Sequence, residues 1–173
     1  RDGGFGDIWI QPAAGDAGGA VGAALAAWHT ELGAERSVVK GDAMRGSYLG
    51  PEYSQSAIDD ELVKCGAVFE TETTEDMVCE TAQGLADGKV IGWFQGRMEF
   101  GPRALGGRSI IGDPRSESMQ KMLNLKVKYR ESFRPFAPSV LREDVADWFE
   151  IDCDSPYMLM VANVRKSRRR AMT

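Results

Sequence analysis

The chain has 173 residues, a formal net charge of −5, 43% hydrophobic and 27% charged residues, the profile of an ordinary globular protein with room for one medium domain or a domain plus part of another. That composition speaks against disorder, collagen and coiled coil; no run approaches the ~20 apolar residues of a bilayer span, and the N-terminus lacks a signal-peptide profile. Cys65, Cys79 and Cys153 are odd in number and far apart, which fits a reducing, cytoplasmic setting better than a disulfide framework or zinc ribbon, and the single histidine, His29, rules out chemistry that needs two.

In chain order, residues 6–11 read as a short strand, 12–19 as a small-residue turn, and 20–32 as a helix with Val21, Leu25 and Trp28 on one face, stopped at Gly33. Gly, Ser and Pro are concentrated over 41–51, which predicts a domain boundary. Ser56 is placed to cap a helix running to about Cys65, with Gly66 ending it, and 67–70 reads as a strand. Thr73-x-x-Asp76 opens another helix with Val78, Ala82 and Leu85 on one face and Gly88 as its stop. The near-continuous apolar run 90–95 predicts a buried strand, and 109–112 a shorter one. A helix is expected over 116–128 with Met119, Met122 and Leu123 inward, a strand over 136–141 broken by Pro138, a helix over 143–149 and a last strand over 157–164. The pattern is mixed α/β, without internal repeats.

Charge is unevenly distributed. Residues 97–134 carry nine basic and four acidic side chains, a local +5, so the remainder sums to −10. An acidic protein that concentrates arginine in one segment is built to meet an anion there. A second cluster, Arg165, Lys166, Arg168, Arg169 and Arg170, lacks interleaved aromatics and reads as a solvated end rather than a nucleic-acid arm.

Two stretches hold the chemistry. The first, residues 96–110, follows a predicted strand, where open α/β sheets place ligands. Its glycines 96, 101, 106 and 107 allow close backbone approach, and Arg97, Arg103 and Arg108 offer planar forks to phosphate or carboxylate. Glu99 is expected to hold or neutralise one of them, while Phe100, Pro102, Leu105 and Ile110 argue for a packed loop. The second stretch is Asn124-x-x-x-Lys128-x-Arg130-Glu131-x-Phe133-Arg134-Pro135-Phe136-Ala137-Pro138-Ser139. Its prolines force extended chain, and Phe133 and Phe136 would anchor it and fix the direction of the cations. Converging cations suit a triphosphate or an acyl phosphate, although no Walker A loop is present. Spacing alone therefore gives a nucleotide- or phosphate-binding enzyme. Trp93 and Phe94 read as core, and His29 as structural.

The strings Gly-Arg-x-Glu-Phe-Gly-Pro-Arg-Ala-Leu-Gly-x-Arg-Ser-Ile and Lys-x-Arg-Glu-x-Phe-Arg-Pro-Phe-Ala-Pro-Ser resemble the C-terminal domain of the O-carbamoyltransferases, the nodulation-factor and antibiotic-tailoring enzymes. The segment 12–25, around Asp16, resembles the end of that family's first, Kae1-like domain of the sugar-kinase/Hsp70 type. The resemblance implies residues 1–40 as a strand–turn–helix remnant of that domain, and 41–173 as a YrdC/Sua5-like twisted mixed sheet with helices. It implies that ATP and carbamoyl phosphate form carbamoyl adenylate with release of phosphate and pyrophosphate. The carbamoyl group then passes to a hydroxyl of a sugar or other natural product beside an iron ion in the first domain, with magnesium accompanying ATP. Carried over by motif, Arg103, Lys128 and Arg134 are the catalytic candidates, Arg97, Arg108, Ser109 and Arg130 the phosphate-binding ones, and Asp16 a metal ligand.

Asp16 has a simpler reading as a helix N-cap, worth roughly 1 kcal/mol, and its partner ligands are not in this sequence. The chain lacks an initiator methionine and the family's later His-x-Asp-Gly-Thr-Ala-Arg-type segment, which leads to the expectation of a truncated chain that need not turn over alone. A non-catalytic RNA- or nucleotide-binding module and an inactive fragment that only folds or pairs with another subunit are the competing readings. The negative net charge speaks against RNA, and neither membrane nor nucleic acid is expected as a partner. A homodimer is among the assemblies allowed.

Overall fold

The structure is a computed structural model describing residues 4–6 and 9–170. It falls into two units, one of Arg1–Gly50, Glu99–Leu105 and Val140–Thr173, the other of Pro51–Met98 and Gly106–Ser139. Helices and a small sheet make the mixed α/β class expected.

In the first unit, α1 spans Asp16–Ala26 and runs on into a π turn, Ala27–Glu31. The helix begins four residues earlier than expected, because Gly15 occupies the N-cap position without any side-chain bond. Asp16 is therefore not the cap; its carboxylate lies in the first turn, where the helix dipole favours it. Gly18 is forced by close packing: its N–H donates to the Ala13 carbonyl at 2.7 Å, and a Cβ there would lie 2.4 Å from the same oxygen. Gly33, at φ +65°, turns the chain out of the helix, and His29 Nδ1 donates to the Ala34 carbonyl at 2.8 Å, a structural role. The face expected inward is largely open, since Leu25 and Trp28 are 51% and 56% exposed. The strand expected over 6–11 falls partly on residues 7 and 8, outside the described residues; residues 9–11 form none.

The same unit holds a strained turn. Arg45, Gly46 and Ser47 follow one another at φ +50°, +66° and +68°, a sequence of left-handed residues that needs outside support. Asp42 supplies it, accepting from Met44 N–H at 3.0 Å, from Gly46 N–H at 2.8 Å and from the Tyr157 hydroxyl. Further on, a 3-10 turn at Arg142–Asp144 leads into α5, Val145–Trp148, shorter than the expected 143–149. The strand expected over 157–164 is reduced to one bridge, Phe149 to Val164, because only that point of the chain meets an extended neighbour.

In the second unit, α2 (Gln55–Lys64) is capped by Ser54 rather than Ser56: the Ser54 Oγ accepts from Ala57 N–H. Its end is a Schellman closure, with Gly66 at φ +66° and bonds from Gly66 to Val63 and Ala67 to Leu62. That closure takes the Ala67 N–H, Val68 projects fully into solvent, and the strand expected over 67–70 does not form. α3 (Thr74–Ala86) starts at the expected Thr73 cap and closes at Gly88 in the same way. Its packed face is centred on Gly84, whose missing Cβ leaves room for Ile91 Cδ1, so Val78 stays 49% exposed.

β1 (Ile91–Phe94) pairs antiparallel with β2 (Arg108–Ile111), in register Ile91 to Ile111 and Phe94 to Arg108. β1 is not the buried strand its apolar run suggested. It alternates half-buried and exposed residues, because a two-stranded ribbon packed against α3 can cover only one face. Nor is it a parallel strand with a ligand crevice at its end. The helix expected over 116–128 is a short α4, Met119–Met122, continued by a π turn, Leu123–Val127. Met119 and Leu123 are buried against Gly112, at 4% and 5% exposure, and Asn124 is fully buried beside them. The strand expected over 136–141 is irregular, since Pro135 and Pro138 offer no N–H to a ladder.

Candidate functional site

In the second unit the cationic loop 128–134 is held by the helix that precedes it. Two residues past the π turn, Tyr129 lies in the left-handed region (φ +48°), which lets Arg130 N–H reach back to the Asn124 carbonyl at 2.9 Å. Asn124 then uses its whole side chain. Its Oδ1 accepts from Arg130 Nε at 2.6 Å, and its Nδ2 donates to the carbonyls of Ser132 (3.1 Å) and Arg134 (2.9 Å). One turn earlier, Gln120 Nε2 donates to the Phe133 and Arg134 carbonyls. Arg130 lies 4.8 Å over the Phe136 ring, the anchoring role expected of that phenylalanine. Phe133 is instead 77% exposed, so its side chain anchors nothing in this unit.

Arg134 is exposed and pairs with Glu131 at 2.8 Å, and Glu131 titrates below the usual carboxylate range through a bond to its own backbone, the Arg134 charge and, more weakly, the Arg130 charge. Lys128 is exposed, and no described acidic side chain is within ion-pair distance of it. The loop thus brings Lys128, Arg130 and Arg134 onto seven residues of chain fixed through main-chain carbonyls. The cationic ends of Lys128 and Arg134 stay in solvent.

At the sheet end of the same unit, Arg108 turns inward. Its guanidinium donates to the carbonyls of Gln95 (3.0 Å), Gly96 (3.2 Å) and Gly107 (2.8 Å) and stacks 3.4 Å over Phe94. Phe94 is therefore a platform for Arg108, 57% exposed, rather than core. Ser109 Oγ accepts from Gly106 N–H at 3.0 Å, and Arg97 pairs with Glu52 at 3.0 Å. Arg103 belongs to the first unit, on an exposed stretch whose flanks are fixed. Ser47, 2% exposed, accepts from Phe100 N–H through its carbonyl; Tyr48 Oη donates to the Leu105 carbonyl at 2.6 Å; and Glu99, 7% exposed, accepts from Leu105 N–H at 2.7 Å. Burial, with the Glu99 charge nearby, raises the Tyr48 pKa. Gly101, at φ +104°, lies so close to Ala13 that a Cβ would sit 2.6 Å from the alanine's.

The sequence model of the family described as Carbamoyltransferase C-terminus matches residues 82–173, the half that carries both cationic stretches. This chain belongs to that family. An uncharacterized protein of Synechocystis sp. is 61% identical over 100% of the chain and 28% of its own length. Nodulation protein NolNO of Sinorhizobium fredii is 48% identical over 98% of the chain and 25% of its own length. The 3'-hydroxymethylcephem-O-carbamoyltransferase of Amycolatopsis lactamdurans is 33% identical over 94% and 29% respectively. The chain thus spans less than a third of the length of these curated relatives.

As a member of the carbamoyltransferase C-terminal family, the chain carries transferase sequence, and no helix among the described residues is long and apolar enough to cross a membrane. Asp16 is exposed, and among the described residues no group of three or more His, Cys, Asp or Glu side chains is arranged to hold a metal ion. The residues present do not fit an iron site of their own. The basic end is occupied with its own unit: Arg165, Arg168 and Arg169 donate to the carbonyls of Ala146, Asp147 and Val164, and Arg168 stacks on Trp148. A cavity of about 540 Å³ beside them is lined by Ala146, Asp147, Arg165, Ser167 and Arg168, none of which is a site candidate of the sequence.

Sequence reasoning gave no role to Asn124, Gln120, Tyr48 or Tyr157. For Asn124 a signal exists: a poor helix former stands between Leu123 and Leu125 in the middle of an apolar run.

Proposed function

We propose that this chain contributes the carbamoyl-activating half of an O-carbamoyltransferase, in a domain of the YrdC-like type. ATP, carbamoyl phosphate and one water give carbamoyl adenylate, phosphate and pyrophosphate: the C–O–P link of the donor is cleaved with water, and a carbamate oxygen takes the place of pyrophosphate on the α-phosphorus. The acceptor's hydroxyl oxygen then attacks the carbamoyl carbon, AMP leaves, and the hydroxyl proton passes to solvent. The names of the cephem O-carbamoyltransferase and the nodulation protein among the relatives favour a hydroxyl on a small natural product as acceptor.

The observation that carries this reading is the loop 128–134, whose Lys128 and Arg134 side chains are exposed while its backbone is fixed to a helix. Joining two polyanions demands fixed positive charge that need not reorganise as the reaction proceeds, and no nucleophilic side chain. Lys128 and Arg134 are the residues for the phosphates, Arg130 orients the loop from its stacked position, and Arg103 is a catalytic candidate by its motif. Arg108 and Ser109 fix the ends of the connection between β1 and β2, and Arg97, paired with Glu52, stands at its start.

Exchange of radiolabelled pyrophosphate into ATP, dependent on carbamoyl phosphate, tests it. The expected result is exchange by the parent chain and a loss of about 100-fold in Arg134→Ala, with Arg115→Ala, already paired to Asp113, unchanged. RNA binding with a steep salt dependence and no exchange would overturn the enzyme reading in favour of a non-catalytic module.

A further inference from the structure

Asn124 is 0% exposed and every polar atom of its side chain is engaged. Nothing in helix stability calls for it, because asparagine is among the poorer helix formers and burying its polar carboxamide costs free energy that an apolar side chain would not. What the carboxamide does is turn the chain. Four bonds from one residue, counting its backbone carbonyl, reach Arg130 twice, Ser132 and Arg134, so both the direction of Arg130 and the path of the backbone into Arg134 are set from a single buried point. Gln120, exposed one turn earlier, adds a second and weaker hold on Phe133 and Arg134.

We infer that Asn124 is the positioning residue of the cationic loop: its carboxamide aligns Arg130 and Arg134 on a phosphate-bearing anion without touching that anion. The inference rests on the anion-binding reading above and adds a residue to it. Two donors and one acceptor are needed at this point. Aspartate, the same size, keeps the acceptor for Arg130 Nε but faces the Ser132 and Arg134 carbonyls with a second acceptor, so it separates holding Arg130 from aiming the loop.

The test uses the full chain with inorganic pyrophosphate as probe, by titration calorimetry at fixed salt, alongside the Arg130 Nε–H signal in a nitrogen-proton spectrum, identified by its disappearance in Arg130→Lys. The parent is expected to bind, with slow exchange of the Arg130 Nε–H. Asn124→Asp is expected to keep that signal yet bind about tenfold more weakly, and Gln120→Ala about threefold more weakly. A merely structural asparagine would lower the thermal midpoint without separating the two readouts. If Asn124→Asp does not fold, Gln120→Ala decides by the same comparison, and unchanged binding there overturns the inference. Parent-like binding by Asn124→Asp, or an Arg130 Nε–H that exchanges in the parent as fast as that of a solvated arginine, overturns the assignment to Asn124 alone. A parent that does not bind pyrophosphate overturns the anion-site reading, and this inference with it.

Discussion

Tyr157 donates its hydroxyl to Asp42, more than a hundred residues earlier, and also accepts from Gly46 N–H at 3.1 Å. The phenol is pushed up to about 12 by burial and by the Asp42 carboxylate, and Asp42 is lowered mainly by the Tyr157 bond. The signs give a window. A raised phenol stabilises the fold below its unfolded pKa, near 10, and loses that contribution as pH climbs through about 12. A depressed carboxylate stabilises above its unfolded value, near 4, and loses the contribution as pH falls through its folded value. Tyr157→Phe is therefore expected to lower the unfolding free energy between about pH 4 and 10 and to flatten its fall on both flanks, measured by urea unfolding across pH; parallel curves for parent and variant would exclude the pair as the cause. At this scale the sequence displayed which residue types carry charge, but not which are available. A guanidinium fork matches main-chain carbonyls as well as phosphate oxygens, and Arg108 is bound to three carbonyls while Arg134 is not.

Helix ends were legible to the extent that their chemistry is local. The Thr73 cap depends on a hydroxyl and an N–H three residues apart: Thr73 Oγ1 accepts from Asp76 N–H at 3.1 Å and donates to the Asp76 carboxylate at 2.7 Å. Gly66 and Gly88 likewise announce Schellman closures from the sequence. Ser54 and Ser56 could not be separated in that way, since both precede the same helix and only the backbone path decides which hydroxyl faces Ala57. Thr73→Ala is accordingly expected to cost about 1 kcal/mol of unfolding free energy, and Ser56→Ala, whose hydroxyl meets only Ser54 Oγ, less than about 0.5 kcal/mol. Chemical unfolding of the two variants side by side checks the pair; equal losses would place the α2 cap wrongly. Strands were read poorly for the opposite reason. An apolar run shows that a segment can be covered, while pairing requires a neighbour with free donors, and among the described residues neither 67–70 nor 136–141 pairs with another strand.

The whole molecule exposes 14169 Å². A compact chain of 18.9 kDa would expose about 8,300 Å², and two compact units of half that mass, sharing no surface, about 10,000 Å². The excess is therefore internal to the units, and it is apolar in large part: Phe5, Trp9, Leu32, Val38, Val68, Phe133 and Val161 are all more than two-thirds exposed. Composition concealed this, because 43% hydrophobic residues suffice for a core but do not say how many of them reach one. The unfolded chain would expose about 27,000 Å², so unfolding uncovers roughly 13,000 Å² instead of the ~19,000 Å² of a compact fold of this mass. Since the urea m-value and the heat-capacity change both scale with that difference, each is expected at about seven-tenths of the value usual for this length. Urea titration of the chain, followed by calorimetry, reads both. A full-sized m-value would mean that side chains such as Val68 and Phe133 are covered in solution, and the cationic loop, to which Phe133 belongs, would then be set in a more enclosed surface than the one described.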